Sequence, residues 1–314
     1  MRKFLISGGI LVALSAAALW YFSAPDISRA ALEVKYARPP SQFVMLPDGA
    51  RAHFRDRGPR DGHVLVLIHG SNASLFTWEP WVTRLEDTFR VITVDLPGHG
   101  LTGAVPNRDY SEDGMVKFVG EVADTLGLPR FAIGGNSMGG RMAARFAEQY
   151  PARVTHLILV DAGGLPSNQD GLAPLAFRLL RTPAVNKALL HVAPRSIVAL
   201  GLNEAFARRE IINDAMIDSY WELGRMEGTR EATLARFNAP SESGVKAHIR
   251  DIKAPTLILW GEEDRLVPVD VAHAFQAAIP ASKLIIYPKT GHGPQEEVPE
   301  PSARDVRQFL LRNP

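Results

Sequence analysis

The stretch GGNSMGG (Gly134–Gly140) connects a short apolar segment, Phe131–Ile133, to a segment with helical spacing that ends before Pro151. Within it, Ser137 is the central residue of a G-x-S-x-G motif. A serine on such a strand-to-helix turn is pushed out of the backbone with its hydroxyl exposed. Backbone crowding at this turn favours glycine two residues before and two residues after the serine. The motif predicts a nucleophile at Ser137, although taken alone it also suits an ordinary glycine-rich connection.

Length and composition limit the fold and the kinds of function that the chain can have. A chain of 314 residues that is 46% hydrophobic can bury the core of one large α/β domain with an insertion, or of two domains. The net charge of +1 gives no indication of a nucleic-acid partner. The absence of cysteine excludes disulfides, thiolate catalysis and cysteine-ligated metal sites.

The N-terminal segment has the pattern of a membrane anchor. Arg2 and Lys3 precede an uncharged run from Phe4 to Phe22, which as a helix would be about 28 Å long. The sequence therefore predicts an anchor or signal segment over residues 1–24 and a tether over 25–40. The basic residues place the catalytic domain on the non-cytoplasmic (periplasmic or extracellular) side. The alternative is a cleaved signal peptide and a secreted protein.

Apolar strand patterns alternate with helical ones through most of the remaining chain. This order predicts an α/β fold with a doubly wound, mostly parallel sheet. The α/β core is expected over residues 41–164 and 244–314, with a helical cap over 165–243 that covers the sheet rim. The predicted strands are Ser41–Leu46, Arg51–Arg57, Val64–Ile68, Phe89–Val94, Phe131–Gly134, Val154–Val160, Pro255–Trp260 and Lys283–Tyr287.

Two further residues complete a candidate triad with Ser137. A serine hydroxyl needs a base within hydrogen-bonding reach, and the base needs an orienting acid. Asp264 and His292 follow the last two predicted strands. The carboxyl ends of parallel strands meet at one edge of a sheet, so the three side chains are expected to meet there. Asp161, which also follows a strand, is the alternative acid.

The developing oxyanion needs backbone donors. The N–H of Met138, directly after the nucleophile, is the first expected donor. The N–H of Ser71, in the loop after the third predicted strand, is the second. His69 and Asp95 occupy similar loops and are interpreted as structural supports.

These motifs together resemble the α/β-hydrolase superfamily. The resemblance rests on His69-Gly70, Asp95–Gly100, Gly135–Gly140, Gly261–Asp264 and Gly291-His292. It implies a serine hydrolase that uses neither a cofactor nor a metal. Epoxide hydrolases and haloalkane dehalogenases of this fold carry Asp at the nucleophile position, which argues against both classes.

The substrate class is the open question. The chain is loosely similar to carboxylesterases and lipases of this fold. The expected reaction is therefore cleavage of a small-molecule or lipid-like carboxylic ester through an acyl-enzyme. The alternative is hydrolysis of a carbon–carbon bond in aromatic ring-fission products, because the Gly135–Gly140 turn is similar to that of those enzymes. They usually have a glycine- and proline-rich oxyanion loop and a Trp after the catalytic His, where this chain has Ser71–Ser74 and Gly293. A non-catalytic receptor of the same fold is a third hypothesis.

Overall fold

The computed structural model describes residues 24–168, 194–239 and 248–312. Eight strands form one sheet in the order β1-β2-β4-β3-β5-β6-β7-β8. The first two strands are antiparallel to their neighbours, and all other pairs are parallel. The strands are β1 Ser41–Met45, β2 Arg51–Arg57, β3 Val64–Ile68, β4 Arg90–Val94, β5 Phe131–Asn136, β6 Val154–Val160, β7 Thr256–Gly261 and β8 Ser282–Tyr287.

Helices lie between the strands. The described ones are α1 Arg29–Tyr36, α2 Glu79–Leu85, α3 Glu112–Thr125, α4 Met138–Gln149, α5 Arg195–Ala205, α6 Asp214–Leu223, α7 Thr229–Asn238, α8 Val269–Ala278, α9 Pro294–Glu297 and α10 Pro299–Arg312. Three of them, α5 to α7, fall within the predicted cap. Residues 169–193 and 240–243 of that cap lie outside the described residues, and the domain boundaries stay predictions.

Apolar residues on both faces of the sheet explain the predicted layering. The central strands are continuously apolar, as expected of parallel strands that are covered on both sides. One face packs on a cluster that includes Phe146 and Phe275, and the other on a cluster that includes Trp78 and Trp81. The Trp81 indole N–H donates to the Ser302 hydroxyl at 2.8 Å, which fixes α2 against α10. The predicted mostly parallel α/β sheet is confirmed.

The membrane part of the fold prediction is corrected. No helix in the described ranges is both long and apolar enough to cross a bilayer. The run from Phe4 to Phe22, on which the anchor was predicted, lies outside those ranges. The structure therefore gives no support to a transmembrane helix, to membrane association through it, or to the non-cytoplasmic location inferred from it.

The segment predicted as a tether makes specific contacts where it is described. Ile27 pairs with the cap residue Met226 in a parallel bridge. The Arg225 guanidinium donates to the carbonyl of Pro25 at 2.6 Å. In α1, Leu32 is 2% exposed, and Arg29 donates to the carbonyl of Thr102 at 3.0 Å. Residues 24–36 therefore connect the core to helices α6 and α7.

These contacts predict a stability effect. Deleting residues 1–37 is expected to lower the free energy of unfolding by about 3 kcal/mol relative to deleting residues 1–23, because it removes the Leu32 burial and the guanidinium–carbonyl bonds. Urea unfolding of the two truncated proteins measures the difference. Equal stabilities would show that the segment only lies against the protein.

Candidate active site

Ser137 sits on a strained turn between β5 and α4. Its φ is 55° and its ψ is −116°, a conformation that residues with a side chain rarely adopt. The Ser137 N–H donates to the Val160 carbonyl at 2.9 Å, and the Ser137 carbonyl accepts from the Gly163 N–H at 3.0 Å. Backbone bonds to the end of β6 thus hold the turn. The serine is partly exposed, whereas both of its neighbours in sequence are buried.

Crowding explains the two glycines of the motif. A Cβ on Gly135 would lie 2.2 Å from the carbonyl carbon of Gly139. A Cβ on Gly139 would lie 2.2 Å from the carbonyl oxygen of Ile68. Both distances are far inside van der Waals contact, so helix α4 can approach β3 and β5 this closely only without side chains at these positions.

The predicted acid and base are in contact. One Asp264 oxygen, Oδ2, lies 2.7 Å from His292 Nδ1. The other, Oδ1, accepts the N–H groups of Leu266 and Val267 at 2.8 and 3.0 Å. The Asp264 side chain is 0% exposed. A carboxylate held from both sides in this way orients the imidazole and leaves Nε2 free for other contacts.

Asn136 connects the loop of the predicted base to the turn that carries the serine. The Asn136 side-chain amide donates to the carbonyl of His292 at 3.1 Å, which ties the loop after β8 to the turn after β5. Within the described residues no hydrogen bond joins the Ser137 hydroxyl to His292.

The loop that carries Ser71 lies against the serine. A Cβ on Gly70 would be 3.3 Å from the Ser137 Cβ. The Ser71 hydroxyl is buried and has no hydrogen-bond partner in the described part of the chain. Met138 is the first residue of α4, where backbone N–H groups have no partner within the helix. Both predicted oxyanion donors therefore border the serine, and their role stays a prediction.

His69 and Asp95 make structural contacts. The His69 ring lies 2.7 Å from the Gly70 carbonyl through Nδ1, and its Nε2 accepts the Leu96 N–H at 3.1 Å. Burial lowers the pKa of His69, so its ring is neutral at physiological pH. Asp95 accepts the N–H groups of Leu75 and Leu101. Both side chains hold loops around the serine.

Glu297 is a buried residue that sequence reasoning missed. Its Oε1 accepts the N–H groups of Gly291 and Gly293, at 2.9 and 3.2 Å, on either side of His292. Its Oε2 accepts those of the cap residues Ala207 and Arg208, at 2.9 and 2.8 Å. One carboxylate thus couples the cap to the loop of the predicted base. No signal in the sequence distinguishes it from the neighbouring Glu296.

Arg236, on α7, is the second residue that was missed. Its guanidinium lies 3.4 Å from the Met138 sulfur and donates to Asn72 Oδ1 at 3.2 Å. No carboxylate in the described ranges pairs with it, and its Nε has no hydrogen-bond partner there. Burial, with a smaller effect of Arg141, lowers its pKa to about 10. Arg236 therefore stays charged at neutral pH and contacts the side chains of Met138, which follows the serine, and of Asn72, which follows Ser71.

One group of acidic and histidine side chains has the spacing of a metal site. One ligating atom each of Asp161, Asp264 and His292 lies within 4.8 Å of the others. Two of the three are already engaged with each other as acid and imidazole. The arrangement is therefore assigned to orientation of His292.

Comparison with known proteins identifies the family. Residues 63–299 match the family model for the alpha/beta hydrolase fold. The chain is 30% identical over 281 residues to a 2-hydroxy-6-oxononadienedioate/2-hydroxy-6-oxononatrienedioate hydrolase of Burkholderia vietnamiensis, covering 87% of this chain and 96% of that protein.

Solved structures agree with this assignment. A crystal structure of a membrane phospholipase A, described as a bacterial virulence factor, is 25% identical with a TM-score of 0.69 and covers 100% of both chains. A thermophilic esterase from Thermogutta terrifontis is 25% identical with a TM-score of 0.72, covering 87% of this chain and 98% of that one. The resemblance inferred from the motifs is confirmed. The chain belongs to the alpha/beta hydrolase fold family, and it is an enzyme of that fold.

Proposed function

We propose that this hydrolase cleaves a carbon–carbon bond beside a ketone in an anionic ring-fission product. Ser137 is the nucleophile, His292 the base and Asp264 its orienting acid. The observation that carries the proposal is the 30% identity to the dienedioate hydrolase, which extends over 96% of that protein. This identity favours carbon–carbon bond hydrolysis, the alternative predicted from the sequence, over ester cleavage, which was the first prediction.

The geometry accommodates the reaction in two steps. His292 takes the proton of Ser137, whose oxygen attacks the ketone, and the N–H groups of Met138 and Ser71 hold the oxyanion. The carbon–carbon bond then breaks, the leaving carbon takes the proton from His292, and the acyl group stays on Ser137. Water, activated by His292, releases it as a carboxylic acid. In sum one water is added across the bond that breaks.

Arg236 supports an anionic substrate. A half-buried guanidinium with no carboxylate partner among the described residues favours the binding of an anion. Its contacts with the side chains of Met138 and Asn72 support an anion site close to the Ser137 turn. A substrate carboxylate near the scissile bond fits this site, because arginine binds carboxylates through two parallel hydrogen bonds.

An aromatic side chain of the cap lies beside Gly293, the residue that follows His292. Hydrolases of this class usually carry Trp after the catalytic His, and this chain has Gly293 there. A Cβ on Gly293 would lie 2.5 Å from Cε1 of the Phe206 ring. Phe206, which follows α5, therefore occupies the space beside His292. An aromatic wall next to the base is compatible with a flat, conjugated substrate.

A matched pair of substrates tests the assignment. We expect the wild-type protein to hydrolyse a ring-fission dienoate faster than an uncharged p-nitrophenyl ester. Arg236→Met is expected to lower kcat/KM for the dienoate by about 10- to 100-fold, the usual effect of losing a hydrogen bond to a charged group. Its effect on the ester should be within about threefold. The exposed residue Arg209 provides the control variant, Arg209→Met, with neither activity changed.

Ester hydrolysis is the second candidate function. It is favoured by the full-length structural likeness to the phospholipase A and by the likeness to the esterase. The same triad and oxyanion donors serve both reactions. Turnover of the ester without turnover of the dienoate would reject the first proposal in favour of this one. An equal loss on both substrates in Arg236→Met would show that Arg236 supports the loop and binds no substrate carboxylate.

A further inference from the structure

Asp161 is a second buried carboxyl beside the predicted triad. It directly follows β6 and is 0% exposed. Its φ of 45° lies in the left-handed region, which Asp tolerates better than most residues. Its Oδ1 accepts the Gly261 N–H at 2.8 Å, so the residue that ends β7 holds this side chain in place.

The second oxygen of Asp161 faces Asp264. In the described ranges Oδ2 of Asp161 meets no N–H or O–H donor, and a carboxyl oxygen of Asp161 lies within 4.8 Å of one of Asp264. No Lys or Arg among the described residues pairs with either carboxyl. Two adjacent carboxylates without a cation cannot both be ionised at moderate cost. One proton shared between them resolves the conflict.

The surroundings decide which carboxyl holds the proton. Asp264 accepts two backbone N–H groups on one oxygen and contacts His292 with the other, which are contacts that favour an ionised carboxylate. Asp161 has one such contact. Burial raises the pKa of Asp161 well above its usual range, and the charges of Asp264 and Glu297 raise it further. Two further titratable groups of the described residues lie near it, namely His292, with a ring nitrogen within 4.8 Å of an Asp161 oxygen, and Tyr287.

We infer that Asp161 is a positioning residue, a neutral carboxylic acid whose O–H donates to Asp264 and fixes that carboxylate against His292. The inference rests on the proposed roles of Asp264 and His292. The hydrogen bond draws negative charge away from Asp264 and holds its Oδ2 against Nδ1 of His292. Asp161 itself touches neither the serine nor the substrate.

Two substitutions separate this role from that of a charged acid. Asp161→Asn keeps the shape, the acceptor for Gly261 and a donor toward Asp264, and it is expected to retain kcat within about threefold. Asp161→Ala removes the donor, and kcat is expected to fall about tenfold. The acid limb of its pH–rate profile should shift to higher pH, because Asp264 then carries a fuller negative charge beside His292.

The pH dependence supplies a readout that a merely structural role would not change. In the wild-type protein, ionisation of Asp161 at high pH breaks the hydrogen bond and adds a repelling charge. We expect a fall of kcat on the alkaline side that is absent in Asp161→Asn. If Asp161→Asn loses as much activity as Asp161→Ala, Asp161 acts as an ionised carboxylate and the inference is wrong.

Stability and infrared measurements cover the case in which the alanine variant fails to fold. A group whose folded pKa is raised stabilises the protein below its ordinary pKa, and this contribution is lost as the pH rises. The Tm of Asp161→Asn relative to wild type should therefore rise as the pH increases above the ordinary pKa of an aspartate. Burial also raises the pKa of Glu148 and Glu296 to about 7, so the infrared carbonyl band of protonated carboxyls has several components. One component of this band should be missing in Asp161→Asn. It should persist in the control Asp56→Asn, whose carboxylate pairs with Arg90 at 2.8 Å. An unchanged band in Asp161→Asn would overturn the inference.

These outcomes are independent of the substrate class. The rate at which a fluorophosphonate labels Ser137 can replace turnover in each profile, because labelling uses the same serine and base. Absence of labelling in the wild-type protein would count against the proposed function. Normal wild-type labelling with an unchanged profile in Asp161→Ala would count against the Asp161 inference alone.

Discussion

Replacing Ser137 by alanine is expected to lower kcat by about 10⁶-fold, because the acyl group then has no oxygen to which it can be transferred. The fold should persist. The turn is held by the backbone bonds of Ser137 to Val160 and Gly163, and these do not use the hydroxyl. Turnover of the preferred substrate, followed at enzyme concentrations high enough to detect residual activity, measures the loss.

A stability measurement must accompany this variant. We expect Ser137→Ala to unfold within about 0.5 kcal/mol of the wild-type protein, as is usual for a small change outside the packed core. Retention of more than a few per cent of the wild-type kcat in a folded Ser137→Ala protein would remove Ser137 from the mechanism.

Asp264→Asn is expected to lower kcat by about 10⁴-fold, because an amide beside Nδ1 favours the wrong imidazole tautomer and provides no charge for the imidazolium. Its side chain keeps the shape of Asp264 and an oxygen that can accept the Leu266 and Val267 N–H groups, so the loop should be preserved. The pH–rate profile and circular dichroism of the variant measure activity and fold separately.

The matched control for this variant is Asp161→Asn. Both aspartates follow adjacent strands and both are buried, so the sequence left Asp161 as an alternative acid. The contact of 2.7 Å between Asp264 and His292 supports Asp264 instead. A loss of about 10⁴-fold in Asp161→Asn together with a mild effect in Asp264→Asn would reverse the assignment.

The sequence was sufficient for the sheet and for the contact between Asp264 and His292. Continuous apolar runs marked the buried parallel strands, and each residue of the predicted triad lay directly after one of them. Topology then requires that these ends share one edge. The crowded turn around Ser137 was also predictable, since glycine is the only residue type that fits at positions 135 and 139.

Contacts between distant segments were not predictable. Glu297 receives the N–H groups of Ala207 and Arg208 across 90 and 89 residues of sequence. Arg236 reaches Asn72 across 164 residues. Both depend on how the cap sits on the sheet rim, and the cap has no periodic pattern that fixes its register. The side chain that we propose as the binding partner of a substrate carboxylate was therefore not predictable from the sequence.

The segment before the sheet shows a similar limit. Its polar composition indicated a tether, whereas the structure places Ile27 in a bridge with Met226 and Arg29 in contact with Thr102. Each contact depends on a partner far along the chain. Composition alone does not distinguish a free linker from a segment that packs against the cap.

The most direct test of the central claim, that His292 activates Ser137, is covalent labelling by a fluorophosphonate, read by mass spectrometry of the digested protein. Wild-type protein is expected to gain one adduct, on the peptide that contains Ser137. The adduct should be absent in Ser137→Ala and in His292→Ala. Wild-type protein that stays unlabelled while folded, or an adduct confined to another residue, would contradict the account.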